Sequence, residues 1–180
     1  MKKFILAITL ILVLQSSCSV TKFMSYYASS DDKKSGDLTG EIFRTQDTSY
    51  KIGTLSDDWK RVKVKGGDLV FRNKSIDATM TVNSVCDAKK KNYTLRSLSE
   101  SLLIGIQRKE IEVMEETTVD AQRAISMVQT GMLDGVPIKI ATLVFIKRIC
   151  VYDFTYASSP ANFDIGLKDF SDFISEFRVL

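Results

Sequence analysis

The chain has 180 residues, 44% of them hydrophobic, with 25 Lys+Arg against 22 Asp+Glu and no histidine. Without histidine the commonest general base and the commonest metal ligand are both missing, which counts against hydrolases and metalloenzymes. The formal charge of +3 falls to +1 when Lys2 and Lys3 depart with a leader, which leaves no basic footprint for nucleic acid.

That leader opens the chain. MKK is followed by FILAITLILVL, uncharged from Phe4 to Leu14, and then by Gln15, Ser16 and Ser17. A basic start, a short apolar run and a small-residue zone are the three parts of a secretory signal. As a helix the run would cross only roughly half of a ~30 Å hydrocarbon core, so it is too short for a lasting span. Ser17-Cys18 closes the region. A small residue directly before a cysteine at this point resembles the lipobox of bacterial lipoproteins, over Leu14 to Cys18. Gln15 departs from the aliphatic residue that family prefers at its place. The resemblance implies cleavage before Cys18, a diacylglyceryl group on its thiol and palmitate-type acylation of the new amine. It also implies outer-membrane sorting, because Ser19 stands where an aspartate would hold the protein at the inner membrane. The alternative is an ordinary signal peptide with an incidental cysteine. Several acyl chains, at about 0.8 kcal/mol per buried methylene, anchor firmly where one chain holds only marginally.

Removal of residues 1–17 leaves 163, enough for one domain with a real core and short for two. Residues 18–40 are expected to be the lipidated cysteine and a flexible tether, since SSDDKKSGDLTG is small, charged and aperiodic. Phe23, Met24, Tyr26 and Tyr27 are more apolar than a tether needs. A single domain is expected over 41–180. WKRVKV at 59–64 alternates as a strand, with Val62 and Val64 on one face and Arg61, Lys63 and Lys65 on the other. Gly66-Gly67 then turns the chain into DLVFRN, a hairpin. ATMTVNSVC at 78–86 alternates as a half-buried strand. After the solvated KKKN, a helix begins near Thr94, with Leu95, Leu98, Leu102 and Ile106 at helical spacing.

Glu110–Val119 reads as a strand. AQRAISMVQTGM admits a helix, but the Asp134-Gly135 turn signal beyond it favours a second strand. Ile138–Ile146 is apolar on both parities, which predicts a strand covered on both faces. ICVYDFTYAS is a further strand, and Ser159-Pro160 suits a helix start. Phe163, Leu167, Phe170, Phe173, Ile174 and Phe177 would line one face of the closing helix. Strands, helix, hairpin strands and helix in that order predict an α+β fold, a mostly antiparallel twisted sheet covered by helices.

Several of these motifs, in this order, resemble the PsbP-like α/β/α sandwich: Trp59, DLVFRN at 68–73, the helix after Cys86, LDG at 133–135, CVYDFTY at 150–156 and the Phe-rich closing helix. Together they cover residues 41–180. The resemblance implies a twisted antiparallel sheet and, by analogy with the photosystem II-binding members and the GTPase-binding nuclear-transport relative, a binding role. No functional residue of the family carries over.

With Cys18 acylated, Cys86 and Cys150 remain, in an exported compartment that permits oxidation. Either they are bridged, closing a loop of 64 residues, or they are two buried free thiols. Arg61, Lys63 and Lys65, extended by Arg72 and Lys74, could contact anionic headgroups or an acidic partner; the plainer reading is a solvated strand face. Glu112, Glu115 and Glu116 lack a calcium-type loop. Asp57-Asp58 reads as a turn, and Asp153 in an apolar strand as a hydrogen-bonded structural carboxylate.

The expectation is a non-enzymatic accessory module of an envelope complex, anchored at the outer membrane and facing the periplasm. It would carry no cofactor or metal beyond the covalent acyl lipid on Cys18, bind no nucleic acid, and engage an envelope protein partner. The alternative is a carrier or sensor of a lipophilic ligand, held between sheet and helix by Tyr152, Phe154, Tyr156 or the closing phenylalanines.

Overall fold

The computed structural model describes residues 36–64, 68–86 and 93–180. The leader, Cys18, most of the 18–40 segment, Lys65, the Gly66-Gly67 turn and KKKN lie outside the described residues. In chain order the strands are β1 (Asp37–Thr39), β2 (Ile42–Arg44), β3 (Ser49–Lys51), β4 (Trp59–Val62), β5 (Leu69–Asn73) and β6 (Ala78–Cys86). Helix α1 (Leu95–Ser101) follows, then β7 (Gln107–Val119), β8 (Gln122–Leu133), β9 (Val136–Lys147), β10 (Cys150–Ser158), α2 (Phe163–Ser175) and β11 (Arg178–Val179). They form two antiparallel sheets, a small one ordered β1-β2-β3-β11 and a large one ordered β4-β5-β6-β10-β9-β8-β7.

The hairpins are set by residues that tolerate positive φ. Asp134 (51°) and Gly135 (84°) make the two-residue turn between β8 and β9, the twist-matched kind that connects antiparallel strands. Asp120 (49°) and Ala121 (59°) do the same between β7 and β8. AQRAISMVQTGM is therefore strand, its register fixed by turns at both ends.

The large sheet is a filled middle layer. On β9, Ala141, Leu143 and Phe145 join the main core with Phe163, Phe170, Phe173 and Ile174 of α2. Ile138 and Ile140, on the other parity, pack with Ile106 and Ala157 on the side where α1 lies. The apolar run on both parities of β9 is thus explained by helices on opposite faces. Phe177, just past α2, closes the main core: its ring centroid lies 4.8 Å from that of Phe154 and 5.0 Å from that of Tyr50 in the small sheet.

Several expectations change. The chain is already a strand at Asp37, ahead of Glu41, and β1 to β3 were not foreseen. β6 is not half-buried, because Thr79 and Thr81 are as enclosed as Met80 and Val82. Helix α1 stops at Ser101 and reaches Ile106 through turns. The Ser97 and Ser101 hydroxyls donate back to the Thr94 and Leu98 carbonyls, a local competition that weakens helices. Helix α2 starts at Phe163 with Asn162 at the cap, Ser159-Pro160 forming the turn before it. No helix among the described residues is long and apolar enough to cross a membrane.

Candidate binding cleft

Helix α2 packs chiefly on β6, β9 and β10 rather than on the β7–β8 hairpin, and α1 packs on β8 and β9. The step between helix and hairpin is a cleft of about 770 Å³, within the size range of ligand sites. Val119, Val128, Ala141 and Leu143 form its floor, and Leu167, Phe170 and Ile174 of α2 form its wall. Hydroxyls of Thr117, Ser126, Ser171 and Ser175 line the rest, with Glu115, Asp120 and Arg178 as the charged members.

Asp120 anchors one end. Its carboxylate accepts from Lys147 Nζ at 2.5 Å and from the Val179 backbone N–H at 2.9 Å. Burial pushes this carboxyl upward, but the Lys147 and Val179 hydrogen bonds and the charges of Lys147 and Arg178 outweigh it. The carboxyl therefore sits below the usual aspartate range. Arg178 donates to the Ser175 and Phe177 carbonyls, where a cation is favoured by the helix C-terminus.

A second polar cluster crosses the strand edges beside the small sheet. Asp68 accepts from Tyr50 Oη at 3.1 Å and from the Ser84 hydroxyl. The Asp68 N–H meets Asn83 Oδ1, and Asn83 Nδ2 donates to Asp153 at 2.9 Å. Burial first, and then the Asp68 charge and hydrogen bond, raise the Tyr50 phenol well above its ordinary value.

Cys86 and Cys150 face each other across β6 and β10, with Cα atoms 4.0 Å apart, and are joined by a disulfide. Arg61 and Lys63 are exposed. Arg61 shares its face with Trp59 and, by register, with Phe71, whereas Arg72 lies opposite Lys60 on the other face and pairs with Asp77. The expected basic patch therefore does not extend through Arg72. Glu112 pairs with Lys139, and Glu116 with Arg123. Asp57-Asp58 is a turn. Among the described residues no group of three or more acidic or cysteine side chains could hold a metal ion.

Tyr152, Phe154 and Tyr156 do not line this cleft. They are fully enclosed, with Tyr152 and Phe154 stacked on Phe145 and Tyr156 on Phe170, because β10 is central in the sheet and covered by α2. Of the closing phenylalanines only Phe170 reaches the cleft. Asp120 and Asp68 were not singled out by the sequence reading: VDA between two strands signals a turn, and nothing local says which cation or phenol the carboxylate will meet.

No family model matches the chain, and neither does any curated protein sequence. Its fold does match solved structures. The solution structure of cyanobacterial PsbP (CyanoP) from Synechocystis sp. PCC 6803 aligns with TM-score 0.59 at 18% identity, covering 81% of this chain and 98% of that one. LpqN, involved in cell envelope biogenesis of Mycobacterium tuberculosis, aligns with TM-score 0.56 at 11% identity, covering 73% of this chain and 84% of its own. A Bacteroides thetaiotaomicron structure aligns with TM-score 0.54 at 8% identity, over 73% of this chain and 45% of that one. The fold is PsbP-like.

Proposed function

We propose that this chain is a lipid-anchored, non-enzymatic binding module of the bacterial envelope, held by acyl chains on Cys18 at the outer membrane with its domain facing the periplasm. It engages a protein partner of an envelope complex and needs no cofactor. The observation that carries the reading is the cleft between α2 and the β7–β8 hairpin, beside a β7 strand whose side chains are nearly all exposed. The leader and lipobox-like residues support the anchor, and the PsbP-like fold is one that hosts binding proteins. Tethering confines the module beside its partner, so a modest interface suffices.

Two experiments test this. Cys18→Ala should release the mature protein from the membrane fraction and shift its mobility; unchanged membrane retention refutes the anchor. Crosslinking in cells should recover one specific partner with the anchored protein. Recovery of only abundant envelope proteins refutes the binding role.

The cleft favours a second reading, carriage of a lipophilic ligand on its apolar floor and wall of Val128, Leu143, Leu167, Phe170 and Ile174. Native mass spectrometry of protein lacking residues 1–18 separates the two. A stoichiometric co-purifying lipid supports the carrier, and an empty chain opposes it.

A further inference from the structure

Strand β7 ends the large sheet and, among the described residues, pairs only with β8, so one side of its backbone has no strand partner among them over Gln107–Val119. Nearly all of its side chains are exposed, including Ile111 at 47% and Val113 at 46%. An edge this long is a template for another strand unless it is guarded. Register shifts interrupt it between Gln107 and Glu110 and between Ile111 and Val113, but from Val113 to Val119 the pairing with β8 is regular.

Beyond Arg108 and Lys109 at its irregular start, where Lys109 donates to the Leu103 carbonyl, its charge is one-sided. Between Glu110 and Glu116 stand four glutamates and no cation. Lys139 holds Glu112 and Arg123 holds Glu116, leaving Glu110 and Glu115 without an ion-pair partner among the described residues. Like charges directly opposite destabilise paired strands, so this edge disfavours a second copy of itself. A basic strand meets the opposite condition, since a lysine or arginine beside Glu115, or beside Glu110 just ahead of the regular stretch, finds a carboxylate with no ion-pair partner among the described residues.

We propose that β7 is a docking edge for an extended basic segment of a protein partner, which adds to the sheet by backbone pairing along Val113–Val119 and is selected by Glu110 and Glu115. Backbone hydrogen bonds supply the pairing and side chains at alternate positions supply the choice, as in other strand-addition interfaces. This rests on the binding-module reading and names the chemistry of its partner.

The test uses the folded domain lacking residues 1–18 and a short synthetic peptide alternating lysine and valine. Binding should slow hydrogen exchange at β7 amides, and Glu110→Lys with Glu115→Lys should weaken it about tenfold at low salt. Asp57→Lys with Asp58→Lys, the same charge change on an exposed turn, should weaken it far less. A glutamate–valine peptide, and the lysine–valine peptide N-methylated at alternate residues, should not bind. Binding without protection of β7, equal loss in both double variants, or full binding of the N-methylated peptide overturns the proposal. In cells the full chain separates the two readings. A partner crosslinked equally by wild type and Glu110→Lys/Glu115→Lys overturns the edge and keeps the module, whereas no partner with either overturns both.

Discussion

Thr155 is fully buried on β10, and its hydroxyl has no hydrogen-bond partner among the described residues. Thr81 of β6 and Thr142 of β9 lie directly opposite on either side, equally enclosed and equally unpaired. A buried hydroxyl without a partner costs its desolvation, so Thr155→Val should raise unfolding stability by up to about 1 kcal/mol in a denaturant titration. A loss instead would mean that an ordered water or another group serves the hydroxyl. Nothing in TMTVN or DFTYA distinguishes these threonines from the solvated face of a half-covered strand, which is why β6 read as half-buried. Tyr50 is also fully buried, but its phenol donates to Asp68. Its phenol is raised well above 10 by burial and by Asp68, so the native state keeps a proton that the unfolded chain loses near pH ~10. Its contribution is therefore full below that pH and is lost as pH rises through the native value. Burial raises the Tyr152 and Tyr156 phenols as well, so tyrosinate absorbance should show a late step that accompanies unfolding, and Tyr50→Phe should lower its amplitude by one phenol.

Elements were legible where the period was long and the turns were marked. β9, with apolar residues on both parities, and β8, pinned by Asp134-Gly135, are the clearest cases. β1, β2 and β3 have three residues each, too few for a period to show, and they are strands because Phe43 and Tyr50 reach the main core. The cleft was illegible for a different reason: which part of a sheet a helix fails to cover is decided by packing, not by either element's own pattern. The disulfide belongs to this scale because it clamps β6 to β10, two central strands separated by 64 residues of chain. On the chain-entropy account a loop of that length contributes about 4 kcal/mol. Cys86→Ser with Cys150→Ser, or reduction of the wild type, should lower the denaturation midpoint accordingly. Equal midpoints with and without reductant would show that the bond adds nothing to this native state.

The whole molecule is held together where its last residues return. β11 pairs with β3, the Leu180 N–H donates to the Ser49 carbonyl, and the Val179 N–H donates to Asp120 in the turn of the β7–β8 hairpin. Asp120 thus ties the small sheet to the far wing of the large one, while Lys147, whose side chain is 22% exposed, neutralises it. Asp120→Asn keeps the shape and removes the charge, leaving Lys147 unpaired at a largely covered position. It should cost about 1–2 kcal/mol, discounted for the water that Lys147 still touches. The native carboxyl lies below its usual range, so the wild-type contribution is present above the unfolded value near pH ~4 and is lost as pH falls through the native value. The difference between wild type and Asp120→Asn should accordingly be largest near neutral pH and shrink in acid. Because one core cluster contains Phe43 and Tyr50 of the small sheet together with Trp59 and Phe177, the loss should be shared by the entire domain. Fluorescence of Trp59, whose indole N–H donates to Asp169 of α2, should report the same urea transition as far-ultraviolet circular dichroism in both proteins. If the two probes separate in Asp120→Asn, the small sheet has its own stability and the C-terminal return is not the tie that makes the fold one unit.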